Sequence, residues 1–266
     1  MSARLAGLYR YPLKSAAGER LEQAGVDALG LVGDRRWMLV DPASGRCLTQ
    51  RDLPQVTRLS PRWLPDRLLL ADGEAALEVP FPPRGQARPV DIWESRLSAL
   101  DAGDDAARWL AERLGRACRL VALPDGAGIP IDPRHARPGE ATAFTDGYPF
   151  LLTNRASLDD LSGRVGRPLA MRRFRPNLVV EGGAAYAEDG WRRLRIGEVR
   201  FRVACPCVRC VVVNLDPEGG ERSADREPLA TLARYRRGEG GVLFGVNLVA
   251  EGPGRIAAGL AIEILD

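Results

Sequence analysis

Short runs of apolar residues, broken by turn signals, fill the first third of the chain. Residues 36–41, 67–71 and 76–80 have the length and apolar content of β-strands. Turn-forming stretches at residues 41–45 (Asp-Pro-Ala-Ser-Gly) and 72–73 (Asp-Gly) follow or separate these runs. The pattern predicts that the chain begins with β-rich structure.

Three later segments have the spacing of amphipathic helices. The first begins near residues 104–105, where aspartate carboxylates can accept hydrogen bonds from the free amides of a first turn, and Gly115 suits its end. The second contains Ser157 and Asp160 as a capping-box-like pair, with Ser157 as the predicted N-cap. The third covers residues 228–236.

Strand patterns return between and after these helices. A Pro- and Gly-rich passage at residues 124–139 predicts an exposed link between two domains, residues 1–121 and residues 122–266. The fold is therefore predicted to be mainly β with a few helices (α+β). The strands predicted in the second half are residues 177–180, 199–203, 210–213, 242–249 and 261–265.

Composition indicates an ordinary globular protein. Apolar residues make up 45% of the 266 residues and charged residues 27%, which argues against disorder. The 38 basic and 35 acidic residues balance too evenly to predict a nucleic-acid polymer as a partner. No run approaches the roughly 18 apolar residues that a membrane helix requires, and no secretion signal is present, so we expect a cytoplasmic protein without a membrane partner.

Three of the five cysteines, Cys205, Cys207 and Cys210, crowd into six residues beside Arg209. Such thiols could supply a soft metal ligand, although a buried structural cysteine fits this segment equally well. A structural zinc site lacks a second cysteine pair, and a thioredoxin-like pair would begin a helix rather than enter a strand. The single histidine, His135, lies in the predicted link and is expected to be solvated, which disfavours a histidine-based nucleophilic triad.

Four segments resemble motifs of one known family. Residues 209–219 (Arg-Cys-Val-Val-Val-Asn-Leu-Asp-Pro-Glu-Gly) are similar to the Arg-Cys and Asp-Pro signature of MOSC proteins related to the mitochondrial amidoxime-reducing component. Residues 11–15 (Tyr-Pro-Leu-Lys-Ser), 33–37 (Gly-Asp-Arg-Arg-Trp) and 174–177 (Phe-Arg-Pro-Asn) resemble further segments of that family in the same order. The resemblance extends over nearly the whole chain.

The resemblance implies a MOSC N-terminal β-rich domain, barrel-like in form, followed by a MOSC β-barrel domain, with a molybdenum-molybdopterin cofactor between them. Cys210 takes the position of the catalytic metal ligand, whereas Cys205 and Cys207 take no ligand role. Arginine and helix N-termini suit the phosphate of such a cofactor. The positions implied for cofactor binding are Lys14, Ser15, Arg35, Ser157, Arg175, Asn177, Val208, Arg209, Cys210 and Asn247.

The implied activity is the reduction of small N-hydroxylated compounds, namely hydroxylamines, amidoximes and N-hydroxylated bases, to amines or amidines. The chain lacks the cysteine set of an iron–sulfur cluster, so we expect a separate electron donor: a flavoprotein reductase, a ferredoxin or a haem carrier. One alternative is a carrier that holds the cofactor, or a persulfide on Cys210, without turnover. Another is an interaction module whose site has decayed.

Overall fold

Strands form most of the regular structure. The computed structural model of the protein describes residues 3–266, which are mainly β with three α-helices, as predicted from the sequence. The strands of the first half are β1 (Arg4–Arg10), β2 (Glu19–Leu21), β3 (Gln23–Asp27), β4 (Gly30–Leu31), β5 (Trp37–Val40), β6 (Cys47–Leu48), β7 (Ser60–Leu64), β8 (Arg67–Asp72), β9 (Ala75–Pro80), β10 (Ala87–Ile92), β11 (Ser95–Asp101) and β12 (Arg119–Ala122).

The second half contains shorter hairpins around two long strands. The α-helices are α1 (Asp104–Leu114), which lies in the first half between β11 and β12, α2 (Arg155–Val165) and α3 (Leu229–Tyr235). The remaining strands are β13 (Ile129–Pro130), β14 (Ala141–Thr142), β15 (Phe150–Asn154), β16 (Leu178–Glu181), β17 (Arg193–Ile196), β18 (Val199–Arg209), β19 (Arg237–Gly238), β20 (Gly241–Ala250), β21 (Gly254–Ala257) and β22 (Ile262–Ile264).

The largest sheet joins the start of the chain to its second half. Its strand order is β2-β1-β16-β15-β20-β18-β17-β22, and β19 pairs with β20. Strand β1 runs antiparallel to β16, and the Leu5 amide donates to Leu260 O, so the sheet curls towards closure. Alternate side chains fill its interior, among them Phe150 and Phe201, whose rings meet edge to face at 5.2 Å.

The first half has its own core. A five-stranded sheet, in the order β10-β11-β12-β5-β6, packs with the β7-β8-β9 sheet and helix α1 around the buried Trp37. Helix α1 contributes Leu110, and Gly115 ends it in the left-handed conformation, as the sequence predicts. The candidate site lies between the two halves, because residues of both halves line its cavity.

The predicted start of α1 near residues 104–105 is confirmed, but the capping residues predicted for α1 and α2 are wrong. Helix α1 has Gly103 as its N-cap, because Asp104 already lies in the first turn, where its charge favours the helix dipole. Helix α2 begins after Asn154, whose side chain accepts a hydrogen bond from the Ala156 amide at 3.0 Å. Ser157 is therefore inside the helix and is not its N-cap.

The strand predicted at residues 210–213 is also wrong. Strand β18 ends at Arg209, and Val211–Asn214 forms a 3-10 helix that follows Cys210. The β-branched run favours a strand. The chain turns here instead, and the turn buries Val213 against side chains of α2 and α3. As a consequence, Cys210 occupies a strand end rather than a strand interior.

The predicted link has local structure. Strand β13 pairs with β14, and Ile131 is buried, so this passage packs against the protein. The predicted domain boundary near residue 122 stays a prediction. None of the helices found in residues 3–266 has the length and apolar content to cross a membrane.

Candidate active site between the two halves

A cavity of about 580 Å³ opens between the two halves, a size typical of small-molecule and cofactor sites. It has six basic side chains in its wall and three acidic ones, so its net charge favours an anionic ligand. The charged lining residues are Lys14, Arg35, Arg51, Asp132, Arg134, Asp146, Arg175, Arg209 and Glu239.

The segment after β1 brings Lys14 and Ser15 into the cavity. The Lys14 amide donates to Trp37 O at 2.9 Å, which fixes the backbone, and Ser15 adopts a left-handed conformation with φ of 70°. The Lys14 ammonium is buried and donates to Phe144 O and to the Asp146 carboxylate. Although desolvation opposes it, the Lys14 charge holds the pKa of Asp146 at about 2, so this ion pair persists at neutral pH.

Arg35 and Arg175 stack on one aromatic ring. Their guanidinium carbons lie 4.2 and 4.4 Å from the centre of the buried Tyr11 ring. Asp34 holds this arrangement, because it accepts from the Tyr11 amide at 2.7 Å and from Arg35 Nη1 at 2.7 Å. Burial raises the pKa of Tyr11 to about 12, so the phenol stays neutral.

Arg175 has a donor that the protein leaves without a partner. Its Nη1 donates to Ala16 O at 2.6 Å, but its buried Nη2 has no hydrogen-bond partner in residues 3–266. Burial, with the nearby charge of Arg35, lowers the pKa of Arg175 to about 10, and the group is still cationic at neutral pH. An unpaired buried donor is costly, so this nitrogen is well suited to a ligand oxygen.

Backbone strain is concentrated around the cavity. Six described residues other than glycine have positive φ, and four of them line the cavity, namely Ser15, Arg35, Trp93 and Arg175. Such conformations persist where surrounding structure enforces them, and they cluster at binding sites. The cavity is therefore a preorganised feature of the fold.

The two asparagines predicted to bind cofactor are held within the protein. Asn177 Oδ1 accepts from Arg35 Nη1 at 3.2 Å, and its Nδ2 donates to Tyr9 O at 3.2 Å. Asn177 therefore orients Arg35 instead of presenting a free donor. Asn247 lines the cavity, and its Nδ2 approaches Cys205 Sγ at 3.5 Å.

Cys210 lies at the cavity wall and is exposed, unlike the buried Cys47 and Cys118. Arg51, from the first half of the chain, donates from Nη2 to Cys210 Sγ at 3.2 Å. The thiolate is the form of cysteine that binds metals. Because Cys210 follows the end of β18, its sulfur is accessible from the cavity.

The rest of the cysteine motif lines the same wall. Arg209 donates from Nη1 to Cys207 Sγ at 2.9 Å and from Nη2 to Phe174 O at 2.7 Å. Val208 is 48% exposed and lines the cavity. Across residues 3–266, no group of three or more His, Cys, Asp or Glu side chains is arranged to hold a metal ion.

The predicted link contributes an aromatic part of the wall. His135 is half-buried beside Tyr148, with ring centres 6.5 Å apart, so its predicted solvated position is wrong. The chain turns at this point, where the His135 and Ala136 amides both donate to Asp132 O at 2.9 Å. Burial raises the pKa of Tyr148, which keeps its hydroxyl protonated.

Ser157 is the one predicted binding residue that does not line the cavity. Its side chain is fully buried, and its Oγ donates to Glu188 Oε1 at 2.8 Å while accepting from the Tyr186 amide at 2.8 Å. We call Ser157, Tyr186 and Glu188 the Glu188 cluster. The remaining predicted residues converge at the cavity, from Lys14 in the first half to Asn247 in the second.

Sequence reasoning did not identify several lining residues. Arg51 and Trp93 lie on connections of the first half, and Asp146 and Tyr148 precede β15. None of these belongs to a segment with a recognisable motif. The Asp-Gly pair that begins at Asp146 reads only as a turn signal.

Comparison with family profiles identifies the fold. Residues 2–117 match the MOSC N-terminal beta barrel domain, and residues 139–263 match the MOSC domain. This chain belongs to the MOSC family. The resemblance inferred from the four motif segments is thereby confirmed.

Two kinds of MOSC relative cover nearly all of the chain. Mitochondrial amidoxime-reducing component 1 of Mus musculus is 31% identical over 284 residues, which cover 98% of this chain and 82% of the relative. The Homo sapiens protein of the same name is 31% identical, with the same coverage. Molybdenum cofactor sulfurase of Oryza sativa subsp. japonica is 30% identical over 96% of this chain, which spans 34% of that larger protein.

Proposed function

We propose that this MOSC protein is a molybdenum cofactor-dependent oxidoreductase that reduces N-hydroxylated compounds. The names of its relatives support both the cofactor and the reaction, and the chain spans most of the amidoxime-reducing component. The observation that carries the proposal is a basic cavity with an unpaired Arg175 donor and an exposed Cys210 thiol in the same wall.

The residues present fit a phosphate-bearing pterin. A phosphate needs fixed cations and donors, and Arg175 Nη2 is a buried donor with no partner in the described chain. Arg35 and Lys14 are held in place by Asp34 and Asp146, so they offer a charged surface without reorganisation. These cations, with Ser15, would hold the phosphate and pterin.

The Cys210 thiolate would be the protein's ligand to molybdenum. Thiolate is a soft ligand, and the exposure of Cys210 leaves room for the other ligands to come from the cofactor. When bound, the cofactor would supply two-electron redox chemistry. The protein would bind and orient the substrate while the walls from both halves limit the access of water.

The proposed reaction consumes two electrons and two protons. A hydroxylamine R–NH–OH would yield R–NH₂ and water as the N–O bond breaks, and an amidoxime would yield an amidine. We propose that a separate protein supplies the electrons, either a flavoprotein reductase, a ferredoxin or a haem carrier. His135 and the neutral Tyr148 hydroxyl lie in the wall where a small substrate can form hydrogen bonds.

The test uses protein produced in a host that makes molybdenum cofactor. Purified protein is given benzamidoxime and a reduced viologen as artificial electron donor, and benzamidine is quantified. We expect turnover by the wild type and by Cys118→Ala, which changes a cysteine in the core of the first half, and none by Cys210→Ala. Molybdenum-loaded wild type that reduces neither amidoximes nor hydroxylamines would refute the enzyme and favour a cofactor carrier.

A further inference from the structure

Trp93 lies in an unusual place for a tryptophan. Ile92 pairs with Ser95 across the β10–β11 hairpin, which leaves Trp93 and Glu94 as the turn. Trp93 has φ of 53°, a left-handed conformation that bulky residues rarely adopt. Its side chain is 52% exposed, so burial gives little reason for a large apolar residue at this turn.

The turn brings the indole to the cavity. Trp93 lines the cavity wall, with Lys14 Nζ at 5.3 Å and Arg51 Cζ at 5.2 Å from its ring. Arg51 also contacts Cys210 Sγ, so a single guanidinium connects the indole to the proposed metal ligand. The half-exposed indole and Cys210 therefore line the same cavity and share Arg51 as a neighbour.

Two independent features, strain and exposure, oppose a purely structural role. A strained, bulky residue that persists at a cavity is typical of a binding element. An exposed indole provides a flat apolar surface, and aromatic rings stack on planar π-systems more strongly than on saturated groups of the same size. The cations beside the ring limit its motion.

We propose that Trp93 is a substrate-binding residue that stacks on planar, π-conjugated N-hydroxylated compounds. This inference rests on the proposed function and deepens it by naming the substrate class. It predicts that the protein prefers amidoximes, N-hydroxylated bases and aromatic hydroxylamines to saturated hydroxylamines.

The experiment compares N-phenylhydroxylamine with N-cyclohexylhydroxylamine, which have the same number of heavy atoms. Their affinities for oxidised, molybdenum-loaded protein are measured by calorimetry without an electron donor, so that no turnover occurs. We expect the wild type to bind the phenyl compound about 2- to 12-fold more tightly, the range expected for an aromatic pair beyond the burial of the same apolar area. Trp93→Asn, which suits a left-handed turn, removes that preference, whereas Trp93→Phe keeps most of it.

Kinetics with the artificial donor separate this inference from the proposed function. If Trp93 binds substrate, Trp93→Asn raises KM for the phenyl compound by a similar factor and leaves KM for the cyclohexyl compound nearly unchanged. Equal affinity ratios in wild type and Trp93→Asn overturn the inference even if both compounds are reduced. Absence of any reduction by wild type overturns the proposed function, while the calorimetric ratio still decides the role of Trp93.

Discussion

The protein buries strongly polar groups in two places and pairs them differently. In the Glu188 cluster, none of the buried side-chain polar atoms of Ser157, Tyr186 and Glu188 lacks a partner within residues 3–266. In the cavity, Arg175 Nη2 is buried without one. Buried polar groups that all have hydrogen-bond partners stabilise the fold, whereas a buried donor without a partner is suited to bind a ligand.

The largest expected effect is a loss of folding stability when the Glu188 cluster is broken. Glu188→Ala leaves the buried Ser157 hydroxyl without its acceptor and opens a void, so we expect a loss of about 3 kcal/mol in the free energy of unfolding. Chemical denaturation of cofactor-free protein measures this loss. If Glu188→Ala unfolds at the same denaturant concentration as wild type, the cluster does not stabilise the fold.

The corresponding substitution in the cavity, Arg175→Met, is expected to weaken cofactor binding. Arg175→Met removes the unpaired donor, and we expect cofactor retention to fall by roughly 30-fold, the value of a charge-assisted hydrogen bond of about 2 kcal/mol. The stability of the cofactor-free protein changes by less than about 1 kcal/mol, because the removed charge is costly to bury. Pterin content after dialysis and denaturation of the same sample measure both. If Arg175→Met loses stability but retains all of its pterin, Arg175 serves the fold and not the ligand.

Ser157→Ala tests whether Ser157 serves the fold or binds the cofactor. The substitution removes the hydrogen bond to Glu188, and we expect a stability loss of roughly 1 kcal/mol. Because Ser157 is outside the cavity, pterin content of the folded protein stays equal to that of wild type. Pterin loss in Ser157→Ala, without a comparable loss in Glu188→Ala, would restore the predicted binding role.

The smallest effect is a pH dependence of stability. Burial raises the pKa of Glu188 in the folded protein, so the folded state binds more protons than the unfolded state above the unfolded pKa. This contribution to stability is present at low pH and is lost as pH rises through the folded pKa. Relative to wild type, Glu188→Gln should gain stability as pH rises from about 4 to 8, because only the wild type loses this contribution. A stability difference that is independent of pH contradicts this assignment.

The sequence predicted strands well where alternation was clear. Residues 199–203 alternate polar and apolar positions, and they form the first part of β18. It could not predict that the apolar run after Cys210 turns into a 3-10 helix, because the packing of Val213 between distant elements decides that segment. Nor could it place β1 in the sheet of the second half, since pairing with β16 is a tertiary choice.

Some residues of the candidate site could be predicted from sequence motifs, and others depend on the tertiary structure. Motif segments placed Lys14, Arg35, Arg175 and Cys210 together, and the structure brings them to one cavity. Arg51 could not be found, because it belongs to no motif and its contact with Cys210 spans 159 residues. Ser157 was predicted as an N-cap because serine suits that position, but Asn154 three residues earlier already caps the helix.

The most direct test of the account is the molybdenum and pterin content of Cys210→Ala beside wild type and Cys118→Ala, all produced in the same cofactor-competent host. We predict near-stoichiometric molybdenum in wild type and Cys118→Ala. In Cys210→Ala we predict molybdenum to be strongly reduced, with pterin still held by the cavity cations. Equal molybdenum in Cys210→Ala and wild type would contradict the central claim that this thiolate binds the metal.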